Sequence, residues 1–194
     1  EQGLKEEVRI PGTEGLSLQH LYRAMDFLEA NKEPIEREIF HRVADLLNLD
    51  VEVLFYDTTS LHFEIDQSDR GHGEDDIVHG SLAAGRKPYK APRKHGLSKN
   101  GRSDAPQIVV GLAVTREGFP VRHWVFPGNT VDVSTVAQVK RDLRDWQLTR
   151  CLFVGDAGMV SAANFKALAA AGGKYLMCVP LRRGDALTEQ VLSR

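Results

Sequence analysis

Two short apolar runs, Val53-Leu54-Phe55-Tyr56 and Leu152-Phe153-Val154-Gly155, each close on an aspartate, Asp57 and Asp156. Runs of this length, rich in valine and aromatic residues, read as buried strands. A carboxylate does not pass from water into an apolar sheet unless a cation, a basic partner or a hard metal ion compensates it. The pair therefore points to a divalent-metal site at the end of a sheet. The two aspartates are 99 positions apart (156 − 57), so the fold must return the later strand beside the first to bring them together.

The intervening and flanking segments constrain that fold further. Leu18, Leu21, Tyr22, Met25 and Leu28 fall at helical spacing after Ser17, a good N-cap, and predict an amphipathic helix whose apolar stripe packs in a core. A second helix is expected from Pro34 to about Leu49, with Ile35, Ile39, Val43, Leu46 and Leu47 on one face. A strand from Val51 to about Glu64 follows. Two further strands, Ile108 to Thr115 and Val121 to Phe126, flank Arg116 to Pro120 and predict an antiparallel hairpin. A helix capped near Asp132 or Ser134 carries Val136, Val139, Leu143 and Trp146 inward. After the Asp156 strand, Ser161 caps a helix ending near Gly172 and Gly173, and Tyr175 to Val179 is a last strand.

Strand, hairpin, helix, strand, helix, strand is the element order of a ribonuclease H-like α/β fold. Such a fold is a mixed sheet, with an antiparallel hairpin plus parallel strands, flanked by helices. Residues 1–50 are expected to form a helical N-terminal region and 51–194 a partial catalytic domain, with an insertion or mobile loop at 65–106. With 194 residues, 42% of them apolar, the chain has material for one sizeable core and a small helical appendage.

Charge nearly cancels over the whole chain, 25 basic against 27 acidic residues, but it is segregated inside the insertion. Glu64, Asp66, Asp69, Glu74, Asp75 and Asp76 come first. Arg86, Lys87, Lys90, Arg93, Lys94, Lys99 and Arg102, with His95 among them, then form a basic arm. A solvated loop and a segment that orders on phosphates are both open readings of this arm. No run is long enough to cross a bilayer and the first ten residues are no signal peptide, so a cytoplasmic location without membrane partners is expected. Cys151 and Cys178 lack metal spacing and read as buried free thiols. There is no Walker-type glycine loop, no H-E-x-x-H and no Rossmann fingerprint, so no nucleotide cofactor is indicated.

Several blocks, in order from about Val51 to Leu181, resemble the DDE transposases of bacterial insertion sequences, the superfamily around insertion-sequence family four. They are Tyr56-Asp57-Thr58-Thr59-Ser60 with Phe63; His95-Gly96-Leu97-Ser98-Lys99 with Arg102, Asp104 and Gln107; Gly118-Phe119-Pro120; Phe126-Pro127-Gly128-Asn129-Thr130 with Asp132; and Val154-Gly155-Asp156-Ala157-Gly158-Met159 with Asn164. The resemblance implies metal-dependent DNA cleavage and strand transfer, with Asp57 and Asp156 as catalytic metal ligands for two Mg²⁺ (or Mn²⁺) ions. It also implies double-stranded DNA as partner, both terminal inverted repeats and target, and a homodimer bridging two ends. Arg86, Lys87, Lys90, Arg93, Lys94, His95, Lys99 and Arg102 are the candidate DNA contacts.

The family's third acid is a glutamate in a helix that spaces Tyr, Arg, Glu and Lys, and no such pattern occurs here. Glu189 and Asp185 are the late acids, and Glu189 reads as solvent-facing. The chain is thus expected to be a fragment, truncated before its third ligand, with weakened metal binding. An inactive DNA-binding remnant or regulator of transposition is the alternative. A haloacid-dehalogenase-like phosphatase, with Asp57 as nucleophile, fits less well, because that family needs a second aspartate where Thr59 stands.

Overall fold

The computed structural model describes residues 12, 15–46, 52–71, 91–97, 101–146, 148, 151–170 and 173–179. The chain forms two compact units, Glu1–Leu49 and Asp50–Arg194.

The first unit contains α1 (Leu18–Ala30) and α2 (Lys32–Leu46). The α1 start is built as its sequence suggests: the Ser17 amide donates to His20 Nδ1 at 3.1 Å, and the Ser17 hydroxyl lies 2.9 Å from the same nitrogen. Pro34 stands third in α2, where a missing N–H costs nothing. Core packing of the α1 stripe is not found: Leu18, Tyr22, Met25 and Leu28 are all at least half exposed. In α2 the buried side chain is Phe40, while Ile39 is exposed. Two helices offer each other one shared seam, so a wide apolar stripe on each exceeds what the pair can cover.

The second unit is a five-stranded sheet. Its strands are β1 (Val53–His62), β2 (Gln107–Thr115), β3 (Pro120–Pro127), β4 (Leu152–Gly155) and β5 (Lys174–Met177), arranged β3-β2-β1-β4-β5. β2 runs antiparallel to both of its neighbours, β3 and β1, and β1, β4 and β5 run parallel. This is the ribonuclease H-like order expected from the sequence. Parallel neighbours need crossovers, and α3 (Asp132–Asp145) and α4 (Ala162–Ala169) supply them. The hairpin turn closes through Gly118, whose φ of 88° suits glycine. Gly118 N–H donates to Thr115 O, and Thr115 N–H to Phe119 O.

Side chains on β1 alternate between buried and exposed along its length. Leu54 and Tyr56 face the helices, where they join Val109, Ala113, Trp124 and Phe153 from the sheet. Above them pack Val136, Val139, Leu143 and Trp146 of the α3 segment, with Met159 and Leu168. The Tyr56 ring meets Trp124 edge-on at 5.8 Å and Phe153 at 5.7 Å. Cys151 is buried as expected, but Cys178, just past β5, is exposed.

Part of the stretch read as a loop is fastened to the sheet. Lys94 and Gln107 exchange both backbone hydrogen bonds, Gly128 N–H donates to Pro92 O, and Phe63 N–H donates to Pro106 O. The fully buried Gln107 side chain donates to Gly128 O at 2.8 Å and Leu97 O at 3.2 Å. Residues 72–90 and 98–100 lie outside the described residues.

Candidate active site

Asp57 is the fifth residue of the ten in β1, not its last. The strand runs on through Thr58 and Ser60, which are buried against the helices although polar. Asp156 directly follows β4. β1 and β4 pair in parallel as Val53↔Leu152, Leu54↔Phe153 and Phe55↔Val154. Every pair differs by 99, the spacing of the two aspartates, so Asp57 and Asp156 stand level on neighbouring strands and on the same face. Pairing stops two residues before them. There the strands frame a groove of about 360 Å³ lined by Phe55, Tyr56, Asp57, Leu112, Val114, Val154, Gly155 and Asp156.

Both aspartates are exposed, so the sheet does not desolvate them as their apolar flanks suggest. What constrains them is local hydrogen bonding. Asp57 Oδ1 accepts from the Thr58 amide at 2.7 Å, and Asp156 Oδ1 accepts from the Gly158 amide at 3.1 Å. The second contact caps the short 3₁₀ turn Ala157–Met159. Two carboxylates opening into one groove form an oxygen donor set suited to a hard divalent cation. Among the described residues no three acidic, histidine or cysteine side chains group as a metal cluster. Asp185 and Glu189 lie outside the described residues.

On the helix side of the sheet a third acid approaches β1. Asp132, the first residue of α3, accepts from the Thr58 hydroxyl at 2.5 Å. By sequence Asp132 is a helix cap and part of the block with Gly128-Asn129-Thr130, but nothing there announces a contact with β1. The Tyr56 hydroxyl donates to Thr135 Oγ1 at 2.9 Å. Burial pushes the Tyr56 phenol from 10.0 up to about 12; the Thr135 hydrogen bond opposes the rise, and the charges of Asp132 and Asp57 add to it.

Because the folded value lies above the unfolded one, the stability carried by the neutral phenol is complete below pH 10. It is lost as the pH rises towards 12, in all about 2–3 kcal/mol. Far-UV circular dichroism at rising pH should show wild-type stability falling across that window, and Tyr56→Phe should flatten the fall.

The segregated charges of the insertion meet in space. Arg93 Nε donates to Asp69 Oδ2 at 2.5 Å, and its guanidinium stacks 5.2 Å from the Phe63 ring. Lys94 Nζ donates to Asp69 O at 3.1 Å, and His95 Nδ1 lies 3.0 Å from Ser68 Oγ. Arg102 forms ion pairs with Asp104 at 3.0 Å and Glu64 at 3.2 Å. Its guanidinium holds the Asp104 carboxyl below its usual range. Arg93 and Arg102 are thus not the unbalanced cations their sequence suggests. Arg86, Lys87, Lys90 and Lys99 lie outside the described residues.

The family described as Transposase DDE domain matches residues 57–191, more than half of the chain, beginning on Asp57 itself. The chain belongs to the DDE transposases. No curated protein matches it. Solved structures similar to this DDE transposase include "Mos1 transposase paired-end complex with left transposon end", at 14% identity and a TM-score of 0.36. Two others are "Crystal structure of the Mos1 mariner paired end complex with Mn", at 14% and 0.34, and "Crystal structure of the Mos1 Strand Transfer Complex", at 12% and 0.37. Each comparison covers 90% of this chain and 48% of the other, so the chain spans about half the length of these proteins. Among the described residues no helix is long and apolar enough to cross a membrane.

Proposed function

We propose that this unit is the catalytic part of an insertion-sequence transposase, cutting and joining DNA phosphodiesters at the groove between β1 and β4. The observation that carries the reading is the common level of Asp57 and Asp156 on adjacent parallel strands. Asp57 and Asp156 would hold Mg²⁺ or Mn²⁺, two ions in the complete site. Bound metal supplies activation of the attacking oxygen and neutralisation of the leaving one. The residues' own work is to present carboxylate oxygens into one groove, each fixed by a backbone amide.

Double-stranded DNA, as element ends and target, is the proposed substrate, bound by a dimer in the bacterial cytoplasm. The 86–102 arm supplies phosphate contacts, with Arg86, Lys87, Lys90 and Lys99 as its main cations. Arg93, Lys94, His95 and Arg102 hold the arm's base to Asp69, Ser68, Glu64 and Asp104 while adding to its positive field. The N-terminal helices serve DNA binding or dimerisation.

The test is nicking of supercoiled plasmid and of element-end duplexes with Mn²⁺ present. Cleavage by the wild type, lost in Asp57→Asn and in Asp156→Asn, is the expected result. Hydrolysis of a phosphomonoester that depends on Asp57 would establish the phosphatase reading instead. Salt-sensitive DNA binding without any cleavage would establish the binding remnant instead.

A further inference from the structure

We infer that Asp132 is a positioning residue, and that the first turn of α3 is a bracket setting Asp57 and Asp156 relative to one another. The inference rests on the proposed role of those aspartates as metal ligands. Asp57 and Asp156 face the open groove, and their strands stop pairing two residues before them. Sheet hydrogen bonds between β1 and β4 therefore end before the two aspartates, and contacts on the opposite face supply a further link between them.

The contacts there converge on four consecutive residues. Thr58, only 4% exposed, turns its hydroxyl to Asp132 Oδ1 at 2.5 Å, while its own amide holds Asp57. Tyr56 reaches Thr135 Oγ1, which donates in turn to Asp132 O at 2.8 Å. β1 is thus tied to the α3 start on both sides of Asp57.

The Asp156 side is tied to the same turn. Asn164, 4% exposed, donates through one Nδ2 to Val133 O at 2.8 Å and to Met159 O at 2.7 Å. Met159 ends the 3₁₀ turn whose Gly158 amide holds Asp156. A Cβ placed on Gly158 would stand 3.3 Å from Asp132 Oδ2 and 3.4 Å from Asp156 Oδ1, so the two carboxylates border the same glycine. Asp132 touches Thr58 directly and flanks the Asp156 turn. Removing its carboxylate releases Thr58, the support of Asp57, and opens space beside Gly158, the support of Asp156.

Partners that orient metal ligands are worth about 10–100-fold in metal affinity. Free Mn²⁺ measured by electron paramagnetic resonance should show binding weakened by about that factor in Thr58→Val and in Asp132→Ala, and no further in the double variant. Thr58→Ser keeps the hydroxyl and Asp132→Asn keeps an acceptor oxygen, so both should bind within about threefold of wild type, because the linkage survives.

Amide hydrogen exchange without metal provides the second readout. The Thr58 and Gly158 amides should exchange faster in Asp132→Ala and not in Asp132→Asn, at unchanged exchange in α4. Equal damage in Asp132→Asn and Asp132→Ala would make Asp132 a metal ligand and overturn the positioning role. Wild-type affinity and wild-type exchange in both Thr58→Val and Asp132→Ala would overturn it as well. Absence of Mn²⁺ binding by the wild type would instead strike the ligand roles of Asp57 and Asp156, leaving exchange to decide the linkage.

Discussion

Gly128→Ala should unfold most of the sheet unit at temperatures where the wild type is intact. A Cβ at that position would lie 1.9 Å from Gln107 O and 2.3 Å from Lys94 O. Both obstacles are backbone atoms, and those two residues are locked together by their own pair of hydrogen bonds. Relief therefore requires breaking the junction of the 91–97 segment with β2 and the turn after β3. Gln107 would also lose its hydrogen bond to Gly128 O, leaving one N–H of its buried amide unpaired beside the one that donates to Leu97 O.

Overpacking of this kind costs about 3 kcal/mol or more, a large share of a domain's total stability. Gly118→Ala supplies the contrast. It meets no atom within 4 Å and suffers only from its φ of 88°, a strain of about 1 kcal/mol. Urea unfolding of the two variants should rank them in that order by at least about 2 kcal/mol, the difference between steric exclusion and backbone strain. Equal midpoints would show that the junction yields easily.

Asp57→Asn and Asp156→Asn should each abolish tight Mn²⁺ binding, and the double variant should be no worse than either. The two carboxylates stand level and open into one groove, so in the proposed site each supplies part of a single donor set. With only two acids placed there among the described residues, loss of either leaves one carboxylate, which in water holds a divalent cation weakly. The effect should exceed about 100-fold, beyond the range expected for a residue that only orients a ligand. Folding should survive, because both side chains are exposed and asparagine retains the oxygen that accepts from Thr58 or Gly158. Additive losses in the double variant would mean two independent sites.

The strands were legible because their apolar runs are short and bounded, and the helices because Val136, Val139, Leu143 and Trp146 recur at helical spacing. The equality between the aspartate spacing and the β1/β4 register is implicit in the sequence, but only pairing reveals it. The apolar run before Asp57 suggests a strand end because Thr58-Thr59-Ser60 reads as polar, whereas the strand expected from Val51 to about Glu64 runs through Asp57, as the structure has it. The structure buries Thr58 and Ser60 on the helix face, where Asp132 satisfies the Thr58 hydroxyl. That contact spans 74 residues, and no local pattern announces it.

The charge runs misled for a related reason. Segregation along the chain says nothing of pairing across it, and Asp69 and Glu64 meet Arg93 and Arg102 only after the segment folds back. The apolar stripe on α1 is genuine as a pattern, yet its exposure shows that periodicity fixes a face and not what covers it.

Asp57 and Asp156 are proposed to bind divalent metal together in the groove between β1 and β4. Mn²⁺ added in small steps to the isotope-labelled protein broadens the amide signals nearest the bound ion. The expected result is early loss of the Asp57, Thr58, Asp156 and Gly158 signals, with Glu64, Asp69 and Asp104 unaffected at the same ratio. Broadening centred on those outer acids, with the groove signals sharp, would contradict it.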